Sequence, residues 1–292
     1  MLRRIFVALA ATAAIFSLQV TSFAEEQTAM TDQPQTGFAL VNGLELYYEI
    51  HGSGSPLLVL HGGIGATEQF GPNIALWAQN RQVIVAHMQG HGFTKDIDRP
   101  YDLEQFADDA AGLLDHLNMP QADVLGYSMG ASVAAHLAVQ HPDKVGKLIL
   151  VSGTMDNGGQ YPEVQAAFPA MADNAAQIGA GMAASPLASM YPDIDWETAF
   201  RKMGELQSQS HDYGDQFARI TAPTLLVFAD ADSVTGDHIL AMYRALGGFQ
   251  RDGGLDGSQR AQAQLAIVPG HTHYNILETT QVGQLSETFL AQ

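Results

Sequence analysis

The sequence predicts an α/β fold in which a mostly parallel central sheet is flanked by helices, and three observations predict it. Short apolar runs rich in Val, Ile and Leu recur at Leu57–Leu60, Gln82–His87, Ala122–Leu125, Lys147–Val151, Thr224–Phe228 and Ala263–Val268. They lack polar alternation, the pattern of strands buried on both faces. Helical patterns alternate with them at Leu103–Leu117, Met129–Gln140, Asp237–Leu246 and Val282–Ala291, and that alternation gives parallel pairing through right-handed crossovers. Ahead of them, Gly37–Val41 and Leu44–Ile50 flank Asn42-Gly43, a pair that marks a tight antiparallel hairpin.

Taken from the start, the chain of 292 residues opens with Arg3-Arg4 and an apolar run from Ile5 to Leu18, followed by Ser22-Phe23-Ala24. A basic start, an apolar stretch too short to span a bilayer comfortably and small residues at the cleavage positions read as a removable export signal over 1–24, with an uncleaved anchor as the alternative. Residues 25–36 are polar and aperiodic and read as a flexible leader. The remainder, 37–292, is long enough for one domain with a sizeable core. Within it, 154–220 is rich in Ala, Met and Gly with scattered Pro and Tyr. This stretch reads as a helical cap inserted over the carboxyl edge of the sheet, where open α/β sheets bind ligands, or as an ordinary run of crossover helices. Its Met155, Met171, Met182 and Met190 suit an adaptable apolar lining or plain helix core. Glycine-rich Gly247–Ser258 reads as a surface loop.

The formal charge of −18 excludes nucleic acid as a partner and disfavours anionic surfaces and strongly anionic substrates. There are no cysteines, so disulfides, a thiol nucleophile and thiolate metal sites are excluded together. The expected location is periplasmic or secreted, with no stable membrane insertion once the signal is removed and a small neutral molecule as substrate. No metal and no other cofactor is expected.

The sharpest motif is Gly126-Tyr127-Ser128-Met129-Gly130, directly after a strand pattern and directly before a helical one. A serine on such a turn is thrust out above the sheet, and the helix that follows aims its free amides and positive dipole end at it; without the surrounding pattern Ser128 would be a plain helix N-cap. His61-Gly62-Gly63 follows the first buried run. Glycines there let the backbone approach a substrate carbonyl, so the amides of Gly63 and Met129 are the expected oxyanion donors. His61 is expected to hold its loop rather than to act as a base.

Together the elbow, the His-Gly loop and Gln89-Gly90-His91-Gly92-Phe93-Thr94 resemble the α/β-hydrolase superfamily, and within it esterase and peroxidase-like members with a helical cap. Gln89 stands where an arginine is frequent in that family. The resemblance implies the chain order nucleophile, acid, histidine. It selects Asp232 from Ala229-Asp230-Ala231-Asp232, with Asp230 as the alternative, and His273 from Pro269-Gly270-His271-Thr272-His273, with His271 as the alternative. It further implies ester hydrolysis through an acyl-enzyme on Ser128. A non-catalytic ligand-binding protein on the same fold and a cofactor-free perhydrolase are the competing readings.

Overall fold

The computed structural model describes residues 33–209 and 212–292; the export signal expected over 1–24 lies outside them. Two antiparallel strands open the fold, β1 (Gln35–Val41) and β2 (Leu44–His51). Between them Asn42 and Gly43 have φ of 48° and 82°, the left-handed pair that a two-residue hairpin turn requires. β1 starts at Gln35 and not at Gly37, which corrects the end of the leader. Gln35 and Thr36 pair with Ile50 and Glu49, and main-chain pairing needs no apolar side chain to announce it.

Six further strands follow: β3 (Ser55–Leu60), β4 (Arg81–Ala86), β5 (Ala122–Tyr127), β6 (Val145–Val151), β7 (Thr224–Ala231) and β8 (Gln264–Thr272). The eight form one sheet in the order β1-β2-β4-β3-β5-β6-β7-β8. Pairs β1–β2 and β2–β4 are antiparallel and the rest parallel. Along each inner strand successive side chains go to opposite faces. Leu58, Leu60, Val124, Leu148, Leu150 and Leu226 enter one core, and Leu57, Val59, Leu125, Ile149, Val151 and Val227 the other. Burial on both faces is why these strands read as unbroken apolar runs.

The helices between them are α1 (Asn73–Trp77), α2 (Leu103–His116) and α3 (Met129–Gln140). Between β6 and β7 come six more: α4 (Pro162–Gln165), α5 (Ala167–Asp173), α6 (Ala175–Met182), α7 (Pro186–Met190), α8 (Trp196–Ser208) and α9 (Gly214–Phe217). The last two are α10 (Gly236–Ala245) and α11 (Gln281–Leu290). α2 starts where the Asp102 carboxylate accepts the Gln105 amide at 2.8 Å, a side-chain cap for an otherwise orphaned donor. None of the described helices is long and apolar enough to cross a membrane.

The block α4–α9 lies against loops leaving the carboxyl ends of β3 and β4. Lys202 of α8 donates to Asp96 Oδ2 at 2.6 Å and to the carbonyls of Ile97 and Arg99 at 2.9 and 2.7 Å. Tyr191, just past α7, donates to Glu68 Oε1 at 2.5 Å. The Lys202 anchor is charge-assisted, the stronger class of hydrogen bond, and together the two fasten a set of short helices over the edge where the site is built.

Candidate active site

β5 ends at Tyr127 and α3 begins at Met129, leaving Ser128 on the turn with φ 53° and ψ −117°. That backbone costs a non-glycine residue about 1–3 kcal/mol and persists only where the surroundings impose it. They do so here: the Ser128 amide donates to Val151 O at 2.9 Å. The turn also needs its glycines for clearance. A Cβ on Gly126 would stand 2.1 Å from Gly130 O, and one on Gly130 would stand 2.1 Å from Leu60 O, so the strand and helix could not approach as they do.

Three side chains from three loops converge on this turn. Ser128 Oγ lies 3.0 Å from His273 Nε2, and His273 Nδ1 lies 2.9 Å from Asp232 Oδ1. A carboxylate only accepts, so Nδ1 carries the imidazole proton and Nε2 is left to accept the serine hydroxyl. His273 is 6 % exposed and Asp232 8 %, so the chain of bonds sits where water screens it little. Asp232 also accepts from the Ser152 hydroxyl at 2.5 Å and from the amides of Ala229 and Val234 at 3.0 and 3.3 Å. Burial alone would raise its pKa. The His273 bond and charge, the Ser152 hydroxyl and the Ala229 amide outweigh that, and the carboxyl is held below its ordinary value.

The alternatives have other work. Asp230 Oδ1 accepts the amides of Gly270 and His271 at 2.9 and 3.2 Å, which fixes the loop that carries His273. His271 Nδ1 donates to Pro269 O at 2.9 Å. Tyr127 donates its hydroxyl to His273 O at 2.7 Å, tying the elbow to the same loop. Both Asp-x-Asp and His-x-His therefore divide into one residue facing Ser128 and one holding backbone.

The Gly62-Gly63 loop lies alongside the elbow. A Cβ on Gly62 would stand 3.2 Å from Ser128 Cβ. The Gly62 amide is committed to Gln69 Oε1 at 2.8 Å, which leaves Gly63 as the next amide of the loop. Met129 opens α3 and has no carbonyl within its helix to donate to. From the cap, Met203 packs on Gly63, with Sδ 2.9 Å from where a Cβ would be. His61 is fully buried; its Nδ1 meets Gly62 O at 2.7 Å and its Nε2 accepts the Met88 amide at 3.0 Å. It holds its loop, as its position predicted. Among the described residues no three histidine or carboxylate side chains converge to hold a metal ion.

Sequence reasoning did not single out Ser152, Gln69 or Met203. Ser152 is the first residue past β6, and only the pairing of β6 with both β5 and β7 carries it to the same edge as Ser128 and Asp232.

A family model described as the alpha/beta hydrolase fold matches residues 55–178. The enol-lactonase of Burkholderia xenovorans LB400 superposes with a TM-score of 0.68 at 21 % identity, over 87 % of this chain and 100 % of that one. The chain has the α/β-hydrolase fold, and residues 55–178 match the family model of that fold. An esterase from Thermogutta terrifontis is a second structural neighbour, with a TM-score of 0.67 at 21 % identity over 89 % of this chain and 98 % of that one. In sequence, the 2-hydroxymuconate semialdehyde hydrolase of Pseudomonas sp. strain CF600 is 31 % identical over 135 residues, 42 % of this chain and 45 % of the relative. The chain thus spans less than half the length of the curated relatives it matches. On this fold Ser128, Asp232 and His273 stand on the loops after β5, β7 and β8.

Proposed function

We propose that this protein is a serine hydrolase that cleaves a carboxylic ester of a small neutral molecule through an acyl-enzyme on Ser128. The observation that carries the reading is the unbroken chain Ser128–His273–Asp232 at 3.0 and 2.9 Å. As Ser128 Oγ attacks the ester carbon, His273 Nε2 takes its proton, and the ionised Asp232 keeps the ring in the tautomer that can accept it. The Gly63 and Met129 amides receive the charge that develops on the carbonyl oxygen. Collapse expels the alcohol, which takes the proton from His273. Water then attacks the acyl group with His273 as base, and the acid leaves. The net charge of −18 repels anionic substrates and favours neutral ones.

The test is stopped-flow hydrolysis of 4-nitrophenyl acetate by the purified protein. One equivalent of nitrophenolate released in a burst, followed by slower steady turnover, is the expected result. A single equivalent with no turnover would replace the enzyme by a ligand-binding protein on the same fold, and the absence of any burst and turnover would remove the nucleophile. The same reading includes export, on the strength of residues 1–24; N-terminal sequencing of the exported protein should begin at Glu25.

A further inference from the structure

The loop from Gly62 to Gly65 closes around the side chain of Gln69. Gln69 Oε1 accepts the Gly62 amide at 2.8 Å, and a Cβ on Gly65 would stand 2.0 Å from Gln69 Cδ and 2.2 Å from its Nε2. The carboxamide therefore fills the space that the missing side chain of Gly65 leaves. Only an oxygen can face an N–H, which settles which way round the carboxamide sits. Gln69 comes from a short helical turn, Thr67–Phe70, whose Phe70 is fully buried and packs on Trp77 with ring centroids 6.2 Å apart. The side chain thus reaches the loop from a fixed base.

The bond matters because of the peptide next to it. Gly62 O and the Gly63 amide belong to one planar trans peptide and point in opposite directions. His61 Nδ1 donates to that carbonyl at 2.7 Å, so the Gly63 amide is turned away from His61. The amide on the other side of Gly62 Cα is the one that Gln69 holds. Two glycines in a row would otherwise let both peptides rotate at little cost; with one bond to each peptide, both backbone torsions of Gly62 are set. The same glycine lies against the elbow, where a Cβ on it would stand 3.2 Å from Ser128 Cβ. A rotation at Gly62 is therefore felt at the serine.

We propose that Gln69 is a positioning residue of the oxyanion hole: by holding the Gly62 amide it keeps the Gly63 amide facing the carbonyl oxygen of a substrate bound at Ser128. This role rests on Ser128 being the nucleophile and Gly63 an oxyanion donor. Acylation and deacylation both pass through an oxyanion, so loss of the Gln69 bond slows the two together, lowering kcat and leaving KM in place. Deleting an oxyanion donor outright costs about 10²–10³ in kcat. Loosening one through its neighbour should cost about tenfold, the worth of one good hydrogen bond.

Two variants break the bond from opposite sides. Gln69→Met keeps the length of the side chain and removes its acceptor, and Gly65→Ala leaves Gln69 in place but pushes a methyl into the space that its carboxamide occupies. Each is compared with the parent in steady-state hydrolysis of 4-nitrophenyl acetate and in inhibition by butylboronic acid. In the boronic acid adduct Ser128 Oγ bonds to boron, the serine proton passes to His273 Nε2, and the tetrahedral boronate carries its negative charge where the oxyanion forms. Both variants should show kcat lowered about tenfold, KM within about twofold of the parent's, and the inhibition constant of the boronic acid raised about tenfold. An unchanged kcat, a rise in KM at unchanged kcat, or a fall in kcat with the boronic acid bound as tightly as by the parent would overturn the role of Gln69 and leave Ser128 as the nucleophile. Two variants that fail to fold would make the contact structural and overturn it as well. A parent that neither turns over the ester nor binds the boronic acid would remove the nucleophile itself, and the role of Gln69 with it.

Discussion

His273 and the trio His61, His87 and His91 stand on loops that leave the same edge of the sheet, after β8, β3 and β4, yet their surroundings differ in kind. His273 offers one nitrogen to a carboxylate and the other to a serine hydroxyl. The trio bonds to scaffold alone among the described residues, and His91 Nε2 is buried there without a partner. His61 Nε2 accepts the Met88 amide at 3.0 Å, His87 Nδ1 accepts the Phe93 amide at 3.1 Å with its Nε2 donating to Thr67 Oγ1 at 2.8 Å, and His91 Nδ1 donates to Gln89 O at 2.8 Å. Burial drives all three toward the neutral form: His87 and His91 are lowered to about 4, and His61 goes well below its ordinary value. A histidine at this edge thus joins the chain between Ser128 and Asp232 or holds a loop, according to the groups its nitrogens meet.

The largest effects are expected at the reacting group. Ser128→Ala or His273→Ala should lower kcat by about 10⁴-fold, and the double variant should cost little more, because the two act as one unit; a His273→Ala enzyme within tenfold of the parent would place the base elsewhere. The next largest effect belongs to the trio. Their folded pKa values are depressed, so below the ordinary histidine value the unfolded chain binds more protons than the folded one. Stability should be fully present above about pH 6.5 and fall between about 6.5 and 4, by about 1.4 kcal/mol per pH unit for each buried histidine. Urea titrations at pH 7, 6 and 5 read this directly, and a flat profile would mean that the trio is not buried and neutral. Asp232 acts lower: its depressed carboxyl supports the fold above the ordinary carboxylate range, and that support is lost as the pH falls through its folded value.

Ser152→Ala should come third, with a loss in kcat/KM of about tenfold, since a hydroxyl bonded to an ionised carboxylate contributes about 1.5–3 kcal/mol and part of that is recovered by the amides on the same carboxylate. A value equal to the parent's would confine Ser152 to structure. His271→Ala should be the smallest effect, below about twofold, because among the described residues its ring bonds only to the carbonyl of Pro269 two residues away. A large loss there would exchange the roles of the two loop histidines.

The sheet was legible in the sequence because each inner strand packs both faces, which leaves an unbroken apolar run, and because the hairpin turn requires an Asn-Gly pair. The elbow was legible for a similar reason: Gly126, Ser128 and Gly130 meet their constraints within five residues. The family resemblance selected Asp232 over Asp230, and the fold gives the reason: Asp230 holds the amides of Gly270 and His271. Ser152 was out of reach for sequence reasoning, because its partner is 80 positions away and meets it only through strand register. The cap resisted element-by-element reading: helices as short as α4 and α9, with Pro162 and Gly214 at their first positions, carry too little periodicity to delimit. Helix α1 was missed because five residues hold barely more than one turn of pattern.

Labelling the purified protein with a fluorophosphonate and locating the adduct by mass spectrometry tests whether Ser128 is a nucleophile activated by His273. A single adduct on Ser128, formed quickly in the parent and at least a hundredfold more slowly in His273→Ala, is the predicted result. An unlabelled Ser128 under conditions that modify a control esterase, or an adduct on another residue, would contradict it.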